Sequence, residues 1–557
     1  MQADKYTAKV AAQGAMWLTG AVVVSKLIGV LQKIPLQNIA GDYVFGIYNA
    51  VYPIYQLIIV LATAGLPTAI SIIITEQSAS DSRGLSFTLR SAVALLSIFG
   101  IISALALWGA SDNIAILFGE PAAADALRSL APAVALAALA AAFRGYYQGI
   151  GKMSVSAISQ VLEQLVRVTV MIAVLLSATA ITINNAGRVT AAVMSGSAVG
   201  ASIACILLIV TYWWNQRRHI QSASHNSNQK PLIAPYYVAT KRLLTVAMPA
   251  VLGAAVVPML GVVDAITIPR MLAASGSTSS EAMTWFGIYS RSQPLIQLIV
   301  MVIGSLGAAL VPRLVIQRTA LQMEKQQEAQ TGISFLMKLT LAICAAAAIG
   351  LLSLVNEINV MLYRNTEGSA IFAWLAITIL GSGLLAMLPP LLQSLGATRS
   401  PALLLLFAAL LKGVCNIWLM GHYGIIGAAY AGVIAFTLTA AYGIWLLYKR
   451  TRIIFLSTWN NQGIRSIITV MLKIVVSVAL MALFLLFTKL LFYQWATAFM
   501  LHRLGISLFV LTVVIGGAAV FFLSIMKLKL FDSAELQWLG IQSKRGNDDV
   551  ISGRKRK

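Results

Sequence analysis

Two lysines lie near the end of the first apolar stretch of this sequence, where charged residues are rare. Lys26 lies within the stretch, and Lys33 follows seven residues later, just before Pro35. Seven residues are about two turns of an α-helix, so both ammonium groups would lie near one face if the helix continues that far. Two neighbouring cations suit an anion with several oxygens, such as a pyrophosphate. Alternatively, the long side chain of Lys33 extends towards water at the edge of an apolar layer.

Other ionisable side chains lie inside later apolar stretches. Glu163 and Arg167 are four residues apart with the acid first, the favourable order for a helical ion pair. We expect them either to fix helix packing or to take part in binding or ion coupling. Asp264 is isolated in its stretch and could take a proton or Na⁺, unless a cation such as Arg291 or Lys412 neutralises it.

Two arginines and three amides complete the set of candidate binding residues. Arg270 and Arg291 flank one end of two neighbouring apolar stretches, and Arg291 precedes Pro294 by about one turn, where a kink could aim it inward. Neutral amides of the kind that hydrogen-bond to sugars are also present: Asn49, Gln56 and Gln297. An amide in such a stretch can equally join two helices.

The elements that must position these side chains are membrane-spanning helices. The sequence has 557 residues, of which 59% are hydrophobic and 10% charged. A soluble protein has about a quarter charged residues, so a soluble globular fold is excluded, as is a disordered chain. The net charge is +22, but a basic surface for nucleic acid would need far more charge, and we expect no nucleic-acid partner.

Fourteen apolar stretches are long enough to cross the roughly 30 Å hydrocarbon layer as helices. They are 10–32, 44–75, 86–110, 126–148, 154–181, 189–214, 241–268, 284–311, 332–355, 368–395, 399–421, 423–448, 465–491 and 503–528. Basic residues concentrate in alternate connections and in the tail, which places both termini in the cytoplasm by the positive-inside rule. We therefore predict an all-α, multi-pass protein of the bacterial plasma membrane, whose basic loops meet anionic lipids.

An internal repeat organises these helices. Residues 45–58 (FGIYNAVYPIYQLI) and 286–299 (FGIYSRSQPLIQLI) are identical at eight of fourteen positions and open the second and eighth spans. Parallel repeats of this kind usually hold a substrate site between them. We predict six-helix lobes at 1–214 and 241–448, a basic linker at 215–240, two extra helices within 449–528 and a basic tail at 529–557.

Motifs for catalysis and for cofactors are missing. The three cysteines and four histidines are scattered without ligand spacing. The segment 149–152 (GIGK) resembles a phosphate loop only in part, because Tyr146 occupies the position of the required first glycine and Met153 follows the lysine. We expect no enzyme active site, no cofactor and no metal.

Four motifs carry a resemblance to a known family. They are Ser25-Lys26-Leu27-Ile28-Gly29, Gly65-Leu66-Pro67-Thr68-Ala69-Ile70-Ser71, Arg144-Gly145-Tyr146-Tyr147-Gln148-Gly149, and Ser159-Gln160-Val161-Leu162-Glu163-Gln164 running on to Arg167. They are similar to the polysaccharide-transporter and stage V sporulation protein B branch of the multidrug/oligosaccharidyl-lipid/polysaccharide exporter superfamily, which is related to lipid II flippases. Val155 departs from the pattern, which has proline there.

The resemblance implies two six-helix lobes in a V shape, with two further helices that form a lipid-facing groove in lipid II flippases. It also implies a substrate made of an undecaprenyl lipid, a pyrophosphate and a sugar chain. Lys26 matches the cavity cation that follows serine in the first span of lipid II flippases. Their other cavity arginines have no secure counterpart here.

We therefore expect a flippase that moves a lipid-linked sugar precursor to the outer leaflet by alternating access. Its headgroup would bind Lys26, Lys33 and Arg291 while the isoprenoid tail stays in lipid. Envelope-synthesis enzymes are candidate partners, and coupling to H⁺ or Na⁺ is left open.

Three alternatives remain at this point. A cation-coupled drug or small-molecule antiporter would share the fold, but the excess of Lys and Arg over acids in these spans disfavours it. A membrane-embedded glycosyltransferase or polymerase usually needs a large outer loop, and the outer connections near 111–125 and 269–283 are short. A scaffold for envelope synthesis is compatible with the sequence.

Overall fold

The computed structural model describes most of the chain, and every regular element in the described part is a helix. The described residues are 20–63, 65–78, 82–178, 180–222, 255, 258–319, 323–397, 400–451, 464–495 and 502–538. Most of the predicted linker, the beginnings of the first and seventh predicted spans, and most of the basic tail lie outside these residues.

Eighteen helices are described. In chain order they are α1 (20–31), α2 (Lys33–Thr63), α3 (Leu66–Ser78), α4 (Ser82–Gly109), α5 (Ser111–Phe118), α6 (Ala123–Gly149), α7 (Met153–Ser177), α8 (Ala186–Ser222), α9 (258–274), α10 (Ser279–Ser290), α11 (Gln293–Thr319), α12 (Met323–Ser353), α13 (Val355–Tyr363), α14 (Ser369–Ser394), α15 (Ser400–Thr451), α16 (Ile464–Trp495), α17 (Arg503–Lys527) and α18 (Ser533–Trp538).

Eleven helical stretches of the described residues are long and apolar enough to cross a membrane. Two of them each cover parts of two predicted spans: Gly20–Glu76 includes the end of 10–32 and all of 44–75, and Ser400–Thr451 includes nearly all of 399–421 and all of 423–448. The predicted span 241–268 lies partly outside the described residues. The structure thus confirms an all-α, multi-pass membrane protein.

Two glycines explain why the long stretches are not single rods. Gly41 has φ of 78° within α2, and Gly424 has φ of 57° within α15. Side chains disfavour this left-handed region, so glycine is the residue that interrupts a helix here at low cost. A straight helix of 52 residues would be about 78 Å long, far more than a bilayer needs. Gly424 therefore lies where the sequence separates two spans.

The chain divides into two compact units. The first comprises Met1–Pro294 and Gly413–Ala428, and the second comprises Leu295–Lys412 and Ala429–Lys557. This division by packing differs from the lobes predicted from the repeat, because α10, which opens the second copy of the repeat segment, packs against α2 of the first copy. The lobes stay a prediction.

Helix α6 lies at the centre of the first unit. It packs against α2, α3, α4 and α8. Ile70, Leu96 and Ala138 form one buried cluster on one side of it, and Phe143 and Leu208 belong to another. Because α6 is rich in alanine, neighbouring helices approach it closely. This packing holds α2 and α7, which carry the candidate site.

The second unit joins the two extra helices to the preceding ones. Leu354, Phe372, Met481 and Val510 share one buried cluster that includes residues of α14, α16 and α17. Two ion pairs add to it: Lys338 with Glu535 at 2.8 Å, and Lys489 with Glu357 at 3.1 Å. The extra helices α16 and α17 are therefore integral to this unit.

Candidate functional site

Two cations of the first unit lie on helices that contact each other, α2 and α7. Lys33 begins α2 and is 5% exposed. Arg167 extends from α7, and its guanidinium carbon lies 5.5 Å from the ring centroid of Tyr52 on α2. This distance is that of a cation–π contact. Lys33 and Arg167 are therefore carried by α2 and α7, two helices of the first unit that pack against each other.

No carboxylate of the described residues forms an ion pair with Lys33 or Arg167. Glu163, the acid four residues before Arg167, pairs instead with Arg144 of α6 at 2.6 Å. The structure therefore does not form the Glu163–Arg167 pair that the spacing favours. Arg144 also donates a hydrogen bond to Ser159 at 3.0 Å. Glu163 therefore faces α6, and among the described residues Lys33 and Arg167 have no carboxylate as a counter-charge.

Buried polar atoms around these cations lack hydrogen-bond partners among the described residues. They are Gln164 Nε2, Arg167 Nε and Gln32 Oε1. The other end of the Gln32 amide donates to the hydroxyl of Tyr48 at 3.1 Å. Buried polar groups are normally paired, so this cluster has hydrogen-bonding capacity for a bound group.

Gly29, in the first sequence motif, leaves space for the side chains of Gln164 and Arg167. A Cβ atom at Gly29 of α1 would lie 2.9 Å from Gln164 Nε2 and 3.5 Å from a terminal nitrogen of Arg167. Any side chain at this position would press on the Gln164 amide. The motif glycine thus lets α1 lie directly against the polar face of α7.

The chemistry of this cluster is that of an anion receptor. We call Lys33, Arg167, Gln32 and Gln164 the cationic cluster. A guanidinium presents several donors in a plane, and an ammonium adds a compact charge. Both groups bind phosphate oxygens strongly. The stacked rings of Tyr48 and Tyr52, whose centroids are 5.4 Å apart, border the cluster with aromatic surface.

The remaining predicted binding residues are placed differently. Lys26, Gln56, Arg270 and Gln297 are exposed, so Lys26 does not share the buried position of Lys33. Asn49 is buried, but its amide donates to the carbonyl of Phe45 in the preceding turn at 2.8 Å. Substrate contact by these residues stays a prediction.

Arg291 is 1% exposed and forms a two-pronged ion pair with Asp42. Its Nε lies 2.8 Å from Asp42 Oδ1, and a terminal nitrogen lies 2.5 Å from Oδ2. In this structure the Arg291 guanidinium therefore pairs with a carboxylate of the protein itself. Sequence reasoning missed Asp42, which lies just before a predicted span and 249 residues from its partner.

Asp264 lies in a polar environment. It is 6% exposed, accepts a hydrogen bond from Asn416 at 3.0 Å and contacts the hydroxyl of Tyr289 at 3.4 Å. Lys412, in the second unit, is also buried and lies 5.7 Å from the ring centroid of Phe436. Ion coupling at Asp264 and a coupling role for Lys412 stay predictions.

Arg144 lies within α6, in agreement with the predicted span 126–148, and its side chain is 14% exposed. Its pairing with Glu163 was not predicted from the sequence. The available signal was its position at the start of the Arg144–Gly149 motif, about three helical turns after Pro132.

Comparison with known proteins agrees with this architecture. Residues 11–318 match the model of the family described as polysaccharide biosynthesis protein. The chain is 30% identical over 538 residues to the membrane protein YabM of Bacillus subtilis, covering 96% of this chain and 95% of the relative. It is 24% identical to stage V sporulation protein B of the same organism, covering 65% and 68% of the two chains.

Lipid II flippases are similar in sequence and in fold. The lipid II flippase MurJ of Bacillus subtilis is 22% identical, with 79% of this chain and 82% of that protein covered. A solved structure of a lipid II flippase MurJ in an inward closed conformation superposes with a TM-score of 0.63 at 14% identity, covering 92% of this chain and all of that one. The chain is thus a multi-pass membrane transporter that belongs to the polysaccharide biosynthesis protein family.

Proposed function

We propose that this protein is a flippase for an undecaprenyl-pyrophosphate-linked sugar precursor. The observation that carries the proposal is the pair of cations Lys33 and Arg167, which lie in the first unit without a carboxylate partner among the described residues. The relatives support the same class, because one of them is a lipid II flippase. Which glycan is carried is not part of the proposal.

A bound diphosphate would satisfy what the cationic cluster lacks. Holding two like charges in a low-dielectric region is unfavourable unless an opposite charge and hydrogen bonds compensate them. A pyrophosphate supplies two negatively charged groups with many acceptor oxygens. The Gln164 amide, whose Nε2 has no partner in the described residues, would donate to one of these oxygens.

The two parts of the proposed substrate, a charged headgroup and an apolar tail, also behave differently in a bilayer. A charged glycan headgroup cannot cross hydrocarbon unaided, whereas an isoprenoid tail is soluble in it. In the proposed cycle the headgroup enters from the cytoplasm and binds Lys33 and Arg167. Lys26, which is exposed, attracts the anion as it approaches. The transporter then opens outward while the tail stays in lipid.

A drug antiporter is the function that this observation disfavours. Many transported drugs are organic cations, and two uncompensated positive charges would repel them.

The test is a flipping assay with the purified protein in liposomes. We expect the protein to move undecaprenyl-pyrophosphate-linked sugar but not a fluorescent organic cation. Lys33→Gln and Arg167→Gln should each weaken the apparent substrate affinity roughly tenfold or more, as expected when a hydrogen bond to a charged group is lost. The matched control is Arg90→Gln, which removes an exposed arginine from α4 of the same unit. The proposal is wrong if the wild-type protein moves only the organic cation, or if all variants transport equally well.

A further inference from the structure

Helices α2 and α10 of the first unit contact each other near the predicted outer connections. The charge pattern of the loops places the start of the second span and the start of the eighth span on the outer side. These are the two copies of the internal repeat, and in the structure they pack directly against each other. The two copies of the repeat segment thus contact each other at the side of the membrane that the charge pattern makes the outer one.

The contact is held by an ion pair that is almost fully buried. Asp42 of α2 and Arg291, which follows α10, form two charge-assisted hydrogen bonds of 2.8 and 2.5 Å. The side chain of Arg291 is 1% exposed and that of Asp42 is 13% exposed. Gln37 adds a donor to Asp42 at 3.1 Å. The pair therefore has the two-pronged geometry of a strong arginine–carboxylate contact.

Two glycines let the helices come close enough for this pair to form. A Cβ atom at Gly287 would overlap the carbonyl oxygen of Asp42, and one at Gly46 would overlap the carbonyl oxygen of Met283. The backbones of α2 and α10 thus touch. Such close approach is typical of helix pairs in membranes with glycine at the interface.

A third outer connection joins the same contact. Ser279 Oγ at the start of α10 lies 2.7 Å from the carbonyl oxygen of Gly119 and 2.8 Å from Glu120 Oε2. Glu120 is 4% exposed. The N-terminal part of α2, the connection after α5 and the two ends of α10 are therefore tied together at one end of the unit.

We propose that the Asp42–Arg291 pair is a lock that holds the outer entrance of the transporter closed. This inference rests on the proposed transport by alternating access. In the closed arrangement the pair is shielded from water, and in an outward-open arrangement both charges would be hydrated. Removing one partner leaves the other buried and uncompensated, which is strongly unfavourable. The loss of either partner should therefore shift the population towards the outward-open state.

The test reads the conformation directly and needs no added substrate. Ser290, which is 2% exposed and lies one turn beyond Gly287, is replaced by cysteine in a protein whose Cys205, Cys344 and Cys415 are changed to alanine. Intact cells are treated with a membrane-impermeant maleimide. Labelling should be slow in the locked protein. Asp42→Asn should raise the labelling rate roughly tenfold. This increase needs only a small part of the population shift that a buried, unpaired charge can cause.

The variants differ in a predictable order. Arg291→Gln should raise labelling less than Asp42→Asn, because it leaves behind Asp42, which is partly exposed, instead of the buried guanidinium. The matched control is the exposed pair of Asp112 and Arg128, whose side chains are 64% and 37% exposed. Asp112→Asn should leave labelling unchanged, since an exposed pair contributes little.

A reporter for sidedness and folding completes the design. Ala274, the exposed last residue of α9, is replaced by cysteine and should be labelled equally in every variant. The lock is refuted if Ser290→Cys reacts equally in the locked and unlocked variants while Ala274→Cys is labelled in both. Failure of flipping with an intact labelling response would refute the proposed substrate alone.

Discussion

At the scale of single residues, the structure separates cations that pair with a carboxylate from cations that have none among the described residues. Arg144 has Glu163, and Arg291 has Asp42. Lys33 and Arg167 have no such carboxylate among the described residues. Charge type alone does not distinguish these pairs, because the deciding factor is which helix lies opposite.

A double-mutant cycle checks the pairing of Glu163. We expect Glu163→Gln and Arg144→Gln to be coupled by about 1–3 kcal/mol in unfolding stability, since the two side chains are in contact. The effects of Glu163→Gln and Arg167→Gln on the unfolding stability should be close to additive. Thermal unfolding of the detergent-solubilised protein measures both cycles. Strong coupling of Glu163 to Arg167 instead of Arg144 would contradict the structure.

At the scale of elements, the position of α10 is fixed from its first residue. Thr278 caps the helix by accepting a hydrogen bond from the backbone of Glu281, and Glu281 accepts one from the backbone of Thr278 at 2.9 Å. Such a capping box defines where a helix begins. It places Gly287 against α2 and Arg291 one turn further on, opposite Asp42. The geometry of the proposed lock thus begins with a local sequence signal.

Glycine substitutions test this element contact independently of charge. Gly46→Ala and Gly287→Ala should each raise the labelling of Ser290→Cys severalfold, because the added methyl group forces α2 and α10 apart. Gly304→Ala is the control, since a Cβ there meets nothing within 4 Å, and it should leave labelling at the level of the locked protein. Unchanged labelling with both interface alanines would show that the helices do not separate when this face opens.

At the scale of the whole molecule, we predict that most of the net charge of +22 orients the chain in the membrane. Basic side chains lie in the connections that the positive-inside rule assigns to the cytoplasm. Few cations remain within the spans, and Lys33 and Arg167 are the two among them that form the candidate site. The partition of charge between loops and spans therefore predicts both the insertion of the chain and the place of its chemistry.

Sidedness measurements test this orientation. Fluorescent protein fused to either terminus should fluoresce, as it does in the cytoplasm, and Ala274→Cys should react with an impermeant maleimide added outside. An outward-facing C-terminus would contradict the predicted topology.

The helices could be predicted from sequence because they depend on local properties. Twenty consecutive apolar residues must form a helix in lipid, so spans such as 126–148 and 368–395 agree with α6 and α14. The repeat could be predicted because its two copies share residues. The breaks at Gly41 and Gly424 are less visible in the pattern, since glycine is common in such spans.

The site could be predicted only in part. Lys33 and Arg167 were found because a charge in an apolar stretch is conspicuous. Their placement on contacting helices was not predicted, because it depends on how α2 packs against α7. Asp42 was missed for the same reason: its partner is 249 residues away, and no local pattern links them.

The most direct test of the central claim is a binding measurement on the purified protein. Native mass spectrometry would compare undecaprenyl pyrophosphate with undecaprenol, which has the same tail but no phosphate. We predict clear preference for the pyrophosphate, lost by at least roughly tenfold in the Lys33→Gln/Arg167→Gln double variant and retained in Arg90→Gln. Equal binding of both lipids to the wild-type protein, or an unchanged preference in the double variant, would contradict the account.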